Sequence, residues 1–480
     1  MRAIDSASGV LEVGRRPTGR VVLALAAGAT TGIAVVLVGP TAALLLFAGI
    51  VGVIVAARWP GVLLAAYLLI PFYKAAVRDY TPIDLTVVLA VLNTLQVIPV
   101  IRSQRVPHVS YAAIVLWVAL AILVFAGVLY APDQTLAFSH AATYWALVFV
   151  PILPAALRAG SDPRHIRQFL WTLFGMGVLT VVLGLSSLSG PERLSMLGAN
   201  TINSGLVALL VPILGVTFVF GEQIPLVSAA TVVLVPAAIV VELASGSRGP
   251  LLALIALGVI AAMRSLGHPR SINWRLAGIV AGLACASLVV VSYAAGDLPR
   301  QSISRFGLLG DFVQTGMSGD LDSQVGDTSA AARVTLWGLA VSLFEDHPVL
   351  GVGTAGFEAV SPWLMGPGQT YSYPHNALLQ VAAELGLLGV GVTGSLVLLA
   401  LTRRLLPSSQ SRALRSVLVF LLLETMLSGD IFSDRTTWGL VMLVLLMDVP
   451  LARGPAETEI LRLGRISGTS TVLPEYRVRP

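Results

Sequence analysis

Three far-separated stretches of the chain carry side chains able to hold a phosphorylated substrate and move a proton. His375 and Asn376 follow a polar loop of roughly eighty residues and open an apolar run long enough to cross a bilayer. Imidazole titrates near neutral pH, so a histidine there can take or give a proton. Polar side chains at the mouth of a membrane helix are costly to desolvate and by default mark function. Arg193 lies in a polar interruption that runs on through Asn200 to Asn203, and Arg248 lies in Ser245-Gly246-Ser247-Arg248-Gly249-Pro250. A guanidinium never loses its charge and offers two parallel donors, which suits a diphosphate. The small residues around Arg248 let a bulky head group approach the backbone. Taken singly, each arginine is also explained by snorkelling or by pairing with Glu192 or Glu242. The convergence of two guanidiniums and an imidazole at one interface is what points to a site.

The elements that position these residues are membrane helices. Of 480 residues, 56% are hydrophobic and 11% charged, and apolar stretches near bilayer length recur along the chain. A soluble protein of this length needs more charge to cover its surface. The expected fold is all-α and polytopic, with about fourteen spans. They fall near 21–39, 41–57, 60–73, 82–101, 109–130, 139–157, 168–187, 202–221, 224–241, 250–263, 276–295, 376–401, 414–428 and 436–452. The third, tenth and thirteenth are short for a bilayer. With the N-terminus inside, 22 of the 30 lysines and arginines fall on cytoplasmic segments, so both termini are expected in the cytoplasm and the site outside the cytoplasmic membrane. The first apolar run lacks a clear cleavage site and reads as a retained span. The layout is a cytoplasmic segment 1–20, a helix bundle 21–295, an extracytoplasmic loop 296–374, C-terminal spans 375–452 and a cytoplasmic tail 453–480. Topology accounts for the net charge of +5, so no nucleic-acid partner is expected. The lone Cys285 reads as a small buried hydrophobe. No repeat of 20–50 residues is visible, which counts against a secondary transporter.

The outer loop begins with Gly, Ser and Asp in a pattern of flexible chain; Asp320, Asp322 and Asp327 do not have calcium-loop spacing. Residues 330–345 carry apolar residues at helical spacing and read as a helix at the membrane surface, with Arg333 and Trp337 on one face. A glycine-rich turn follows, from His347-Pro348 through Gly351, Gly353 and Gly356. It has neither the lysine nor the strand-to-helix setting of a nucleotide loop, and His347 reads as a helix terminator. Glu384 is nine residues beyond His375, about half a turn round the helix and about 13 Å deeper. On one straight helix it cannot pair with His375. Holding a neighbouring helix is its first expected role and touching substrate its second, with Gly386 and Gly389 permitting close approach.

Four segments together resemble the bacterial O-antigen ligase and O-antigen polymerase superfamily. They are Arg193 to Asn200 with Asn203; Ser245-Gly246-Ser247-Arg248-Gly249; Arg333 to Trp337 with His347-Pro348 and Gly351-Val352-Gly353; and His375-Asn376 with Leu379, Glu384, Gly386 and Gly389. The last block is the most specific. Ala199 departs from the family, which often has His-Pro or Asn-Pro before the asparagine. The resemblance implies a membrane glycosyltransferase with a polyprenyl-diphosphate-linked glycan as donor and a glycan or lipid as acceptor, working among membrane lipids without cofactor or metal. It implies His375 as the base that deprotonates the acceptor hydroxyl and arginines as the diphosphate clamp. Arg193, Arg248, Asn200, Asn203, Arg333, Asn376 and Glu384 are the expected substrate-binding residues. A glycosyl diphosphate is already activated, so positioning, charge neutralisation and removal of one proton suffice. A polymerase of the same superfamily and a non-catalytic flippase of lipid-linked glycans are the alternatives. A flippase needs cations along a central path, whereas these runs are nearly free of charge in mid-membrane, Asp84, Glu384 and Glu424 being the main carboxylates there.

Overall fold

A computed structural model describes residues 58–78, 84–102, 110–186, 201–245, 247–266, 328–365, 373–405, 407–431 and 434–447. Among them every regular element is helical. In hydrocarbon each backbone N–H and C=O needs a partner within the protein, and helices provide one segment by segment. The helices are α1 (Pro60–Arg78), α2 (Leu85–Arg102), α3 (Tyr111–Val128), α4 (Gln134–Gly160), α5 (Pro163–Ser186), α6 (Thr201–Leu214, prolonged by a π turn), α7 (Pro225–Ser245), α8 (Arg248–Leu266), α9 (Thr328–Asp346), α10 (Gly356–Met365), α11 (Ala377–Thr402), α12 (Ser409–Ser428) and α13 (Arg435–Leu446). Seven are long and apolar enough to span a membrane: α2 to α5, the stretch Ser204–Glu222 within and beyond α6, α7 and α11. The expected spans 21–39, 41–57 and 276–295 lie outside the described residues. The helix expected at 330–345 is present as α9.

The last expected span, 436–452, contains the short helix α13. From Thr436 to Leu446 every residue of α13 is buried. A helix apolar on all sides and enclosed by protein need not match bilayer thickness, so twelve residues suffice. Its first turn is tied down by Asp434, whose Oδ1 accepts from Thr437 N–H at 3.0 Å, and by Thr436, whose hydroxyl donates to Leu68 O at 3.1 Å. Around it, Trp117 of α3 stands 4.8 Å from Phe149 of α4 and 5.6 Å from Trp438 of α13. The edge-to-face contact of Trp117 with Phe149 adds specificity to area burial.

Prolines mark the local irregularities. Pro151 has no N–H for the carbonyl four residues earlier, and that carbonyl, Leu147 O, accepts instead from the Tyr67 hydroxyl. The helix widens to a π turn at Trp145–Phe149 just before it.

The two ends of the bundle differ in charge. At the end of α11 remote from His375, Arg167 pairs with Glu222 at 2.7 Å. There too Arg403 donates to Met447 O at 2.6 Å, and Arg415 to Arg403 O at 2.7 Å. At the His375 end the starts of α6, α8, α11 and α13 meet the ends of α7 and α12.

Candidate functional site

Asn376 is the N-cap of α11: its Oδ1 accepts from Leu379 N–H at 3.0 Å, satisfying one of the unpaired donors of the first turn. Its Nδ2 donates to Met426 O at 2.9 Å, in the last turn of α12. The expected site residue Asn376 is thus committed at both ends to holding the helix mouth. His375, just before it, has φ +56°, an unusual conformation for a residue with a side chain and one that clusters at functional sites. Tyr373 packs edge-on against the imidazole at 4.5 Å between ring centres. The Nδ1 atom is buried and has no hydrogen-bond partner among the described residues.

Two charges of opposite sign act on this imidazole. Burial lowers the His375 pKa below the ordinary 6.5, Arg333 on α9 lowers it further, and Asp430 opposes them. The ring therefore stays neutral, and able to accept a proton, into mildly acidic solution. Tyr373 is moved the other way: burial raises its pKa, Asp430 and Glu424 add to this, and Arg333 counters it. Its hydroxyl keeps its proton at neutral pH.

Asp430, Tyr373 and Gln380 were not singled out from sequence. Their signal was faint: Asp430 and Asp434 flank the short break between two apolar runs, the kind of pair that also serves only to cap a helix. Structure gives Asp430 a partner across the site, since Gln380 Nε2 donates to its Oδ1 at 3.0 Å. Glu424 lies one turn from the end of α12 and accepts from the Ser428 hydroxyl at 2.6 Å.

The segments that carry the other expected residues reach the same end. A Cβ placed on Gly249 would come 2.8 Å from Ser428 Oγ, so the start of α8, where Arg248 stands, abuts the same end of α12 that Asn376 grips. Gly205 near the start of α6 is pressed against Glu242 and Ser245 of α7, which places the backbone of Asn203 in this layer. Ser245 in turn accepts from Ser247 N–H at 3.2 Å. Arg193 and Asn200 lie outside the described residues, and the side chains of Asn203 and Arg248 are likewise outside the description.

Glu384 has a different neighbourhood. It is 1% exposed, and its Oε2 accepts from Ala355 N–H at 3.0 Å. The sequence suggested that it holds a neighbouring helix; it holds the glycine-rich loop that follows α9 and, through the backbone of Phe357, the start of α10. The straight α11 assumed in that reasoning is interrupted, because Gly386 takes φ +61° and ψ −160°. The loop fills the break. Val352 and Gly353 N–H donate to the carbonyls of Ala383 and Glu384 at 2.9 and 3.0 Å. Leu387 and Leu388 N–H donate to Pro348 O and Val349 O at 2.8 and 3.3 Å. On the other side Thr354 donates to Val124 O of α3 at 2.6 Å, and Tyr130 to Leu350 O at 2.8 Å. His347 ends α9, its N–H donating to Leu343 O at 3.1 Å.

Beneath the site, a cavity of about 340 Å³ runs between α11 and α12. It begins at Ala377 and Leu378, next to His375, and continues past Val381 and Val397 to Leu401. Leu422 and Met426 line it from α12.

The arrangement offers an imidazole within electrostatic reach of a cation and a carboxylate, next to an apolar cavity. A comparison with curated proteins finds no match. Residues 230–394 match the family model described as O-antigen ligase. That stretch runs from α7 into α11 and takes in Arg248, Arg333, His375, Asn376 and Glu384. The chain is a polytopic helical membrane protein that is similar, over residues 230–394, to the O-antigen ligase family.

Proposed function

We propose that the protein is a membrane glycosyltransferase of the ligase type, moving a glycan from a polyprenyl-diphosphate carrier to an acceptor hydroxyl outside the cytoplasmic membrane. The observation that carries this reading is His375 itself, half-buried at the mouth of α11, kept neutral by burial and Arg333, and set next to the apolar cavity. An isoprenoid tail entering between α11 and α12 brings its diphosphate to the level of His375. The imidazole takes the proton from the acceptor hydroxyl, whose oxygen attacks the anomeric carbon while the bond to the diphosphate breaks. Arg193 and Arg248 neutralise the departing diphosphate, with Arg333, Asn200 and Asn203 completing its surroundings. Asn376 fixes the helix mouth. No metal enters this scheme.

In-vitro transfer from a synthetic polyprenyl-diphosphate oligosaccharide tests the reading, with purified protein and EDTA present. Activity is expected to persist in EDTA; its loss there points to metal-dependent chemistry. Arg248→Lys keeps the charge but removes the fork. One lost charge-assisted bond of 1.5–3 kcal/mol lowers turnover by at least ~10-fold, whereas wild-type turnover at normal abundance reduces Arg248 to an interfacial arginine.

Orientation follows the arginine-rich end of the bundle, which we assign to the cytoplasm together with both termini and about fourteen spans in all. A cysteine introduced at position 320 should react with an impermeant maleimide added outside, and one at 408 should not. The reverse pattern turns the site toward the cytoplasm and ends the proposal.

A further inference from the structure

We propose that Gly394 is a specificity-determining residue for the tail of the donor: its missing side chain keeps open the cavity between α11 and α12, where the isoprene units next to the diphosphate lie. The inference rests on the reading of the donor as a polyprenyl-diphosphate glycan.

Gly394 lines the cavity from the part of α11 beyond the break at Gly386. Glycine weakens a helix interior relative to alanine, and in membrane helices it commonly serves close packing against a neighbour. Gly389 on the same helix shows that use: a Cβ there would come 2.2 Å from Leu385 Cβ and 3.2 Å from Val381 Cγ1. Around Gly394 an added Cβ meets nothing within 4 Å. Val397 and Leu401 continue the same wall, and Leu422 and Met426 line the cavity from α12. A larger side chain at 394 would take up cavity space without first striking protein.

The polar lining residues keep their polar atoms out of this space. Asp434 Oδ1 accepts from Thr437 N–H at 3.0 Å, the Thr425 hydroxyl donates to Leu422 O at 2.9 Å, and the hydroxyl oxygens of Thr393 and Thr437 are buried. What the cavity offers is hydrocarbon. A sugar or a diphosphate drawn into it would lose its hydrogen bonds to water and find none to replace them. The occupant is therefore apolar along its length. Because the cavity starts next to His375, the reacting end of that occupant stays outside, at the imidazole. The donor's tail meets both conditions and the acceptor glycan meets neither. Leu378 at one end and Leu401 at the other are exposed, which lets a chain enter sideways from the bilayer. At about 340 Å³ the cavity encloses a fragment of drug-like size, a few isoprene units and not a whole polyprenyl chain. Bilayer hydrocarbon is as apolar as the cavity, so the tail gains by packing and not by leaving water. Packing depends on the bore, and Gly394 sets the bore.

The test uses the full-length protein in lipid nanodiscs, with native membrane vesicles as acceptor source. One oligosaccharide is supplied on geranyl, geranylgeranyl and undecaprenyl diphosphate, and kcat and KM are measured for each. In the wild type, donor KM should fall from geranyl to geranylgeranyl and then stay level to undecaprenyl. Gly394→Phe should raise KM for the two longer donors about 10-fold, toward the geranyl value, with kcat at saturation nearly unchanged, the pattern of lost uniform binding. Gly391→Phe is the control, since Gly391 lies on the same helix with open space around it but does not line the cavity. Wild-type KM values in Gly394→Phe, or an equal rise in Gly391→Phe, overturn the proposal. Should Gly394→Phe fail to accumulate, the wild-type protein decides. Geranylgeranyl diphosphate bearing a diazirine on its tail should crosslink within 377–401 and 419–426, and undecaprenyl diphosphate should compete where dioleoyl phosphatidylglycerol does not. Adducts elsewhere, or equal competition by the phospholipid, overturn the proposal. The two readings fail differently. If the wild type transfers from none of the three donors, the polyprenyl-diphosphate reading falls and this proposal with it. If it transfers from all three with one KM, only the role of Gly394 falls.

Discussion

His375→Ala is expected to lose transfer by 10²–10⁴-fold, the usual cost of a general base, while still binding the lipid-linked donor. Nothing in the described contacts makes His375 a structural keystone: Asn376 caps α11 and bridges to α12 without it. The alanine variant should therefore reach normal abundance and melt near the wild type. Its φ of +56° is relieved no better by alanine than by histidine. Wild-type turnover should fall as the solution is acidified, since only the neutral imidazole accepts a proton. Burial and Arg333 hold the His375 pKa below 6.5, so the acid limb lies below that value and not at it. Full transfer by His375→Ala ends the assignment. An acid limb above 6.5 shows that Asp430 outweighs burial and Arg333 in the working enzyme.

Class and helix positions were legible because hydrophobic run length is a local property: α3, α4, α5, α7 and α11 fall where apolar stretches do. The mouth at His375 was legible for the same reason, a polar pair abutting an apolar run. Asp430 and Gln380 were not, because their meaning is pairwise. A glutamine inside an apolar stretch and an aspartate 50 residues later carry no mark that they touch until α11 and α12 are packed. Glu384 shows the other limit. Its position on a helical wheel assumed a continuous helix, and the break at Gly386 depends on a loop that sequence places some 35 residues earlier. Glycine there reads equally as a close-packing residue between helices and as a kink. Only the loop that fills the kink distinguishes them.

Gly386→Ala should destabilise the fold by about 3 kcal/mol or more and abolish transfer in whatever protein remains. The φ and ψ at Gly386 lie in a region that residues with a Cβ essentially do not occupy, a cost of about 1–3 kcal/mol alone. A Cβ there would also come 2.4 Å from both C and O of Val349 and 2.7 Å from Gly351 N, against backbone that cannot swing aside. Relief requires the loop to withdraw. Withdrawal strands the N–H groups of Leu387 and Leu388 and the carbonyls of Ala383 and Glu384 inside the protein, each unsatisfied group costing about 1–3 kcal/mol. It also removes the Ala355 N–H from the Glu384 carboxylate and Thr354 from α3. His375 stands just before the N-cap of the same helix, eleven residues away, so a shift of the loop is transmitted to the base. Gly391→Ala is the control on the same helix: nothing lies within 4 Å of its added Cβ, and alanine in place of glycine favours a helix by up to about 1 kcal/mol. Thermal melting and limited proteolysis across 347–356 read the difference directly. A Gly386→Ala protein with the wild-type melting temperature and an uncut loop would mean that α11 can straighten, and that the loop is not what holds the mouth of this helix in place.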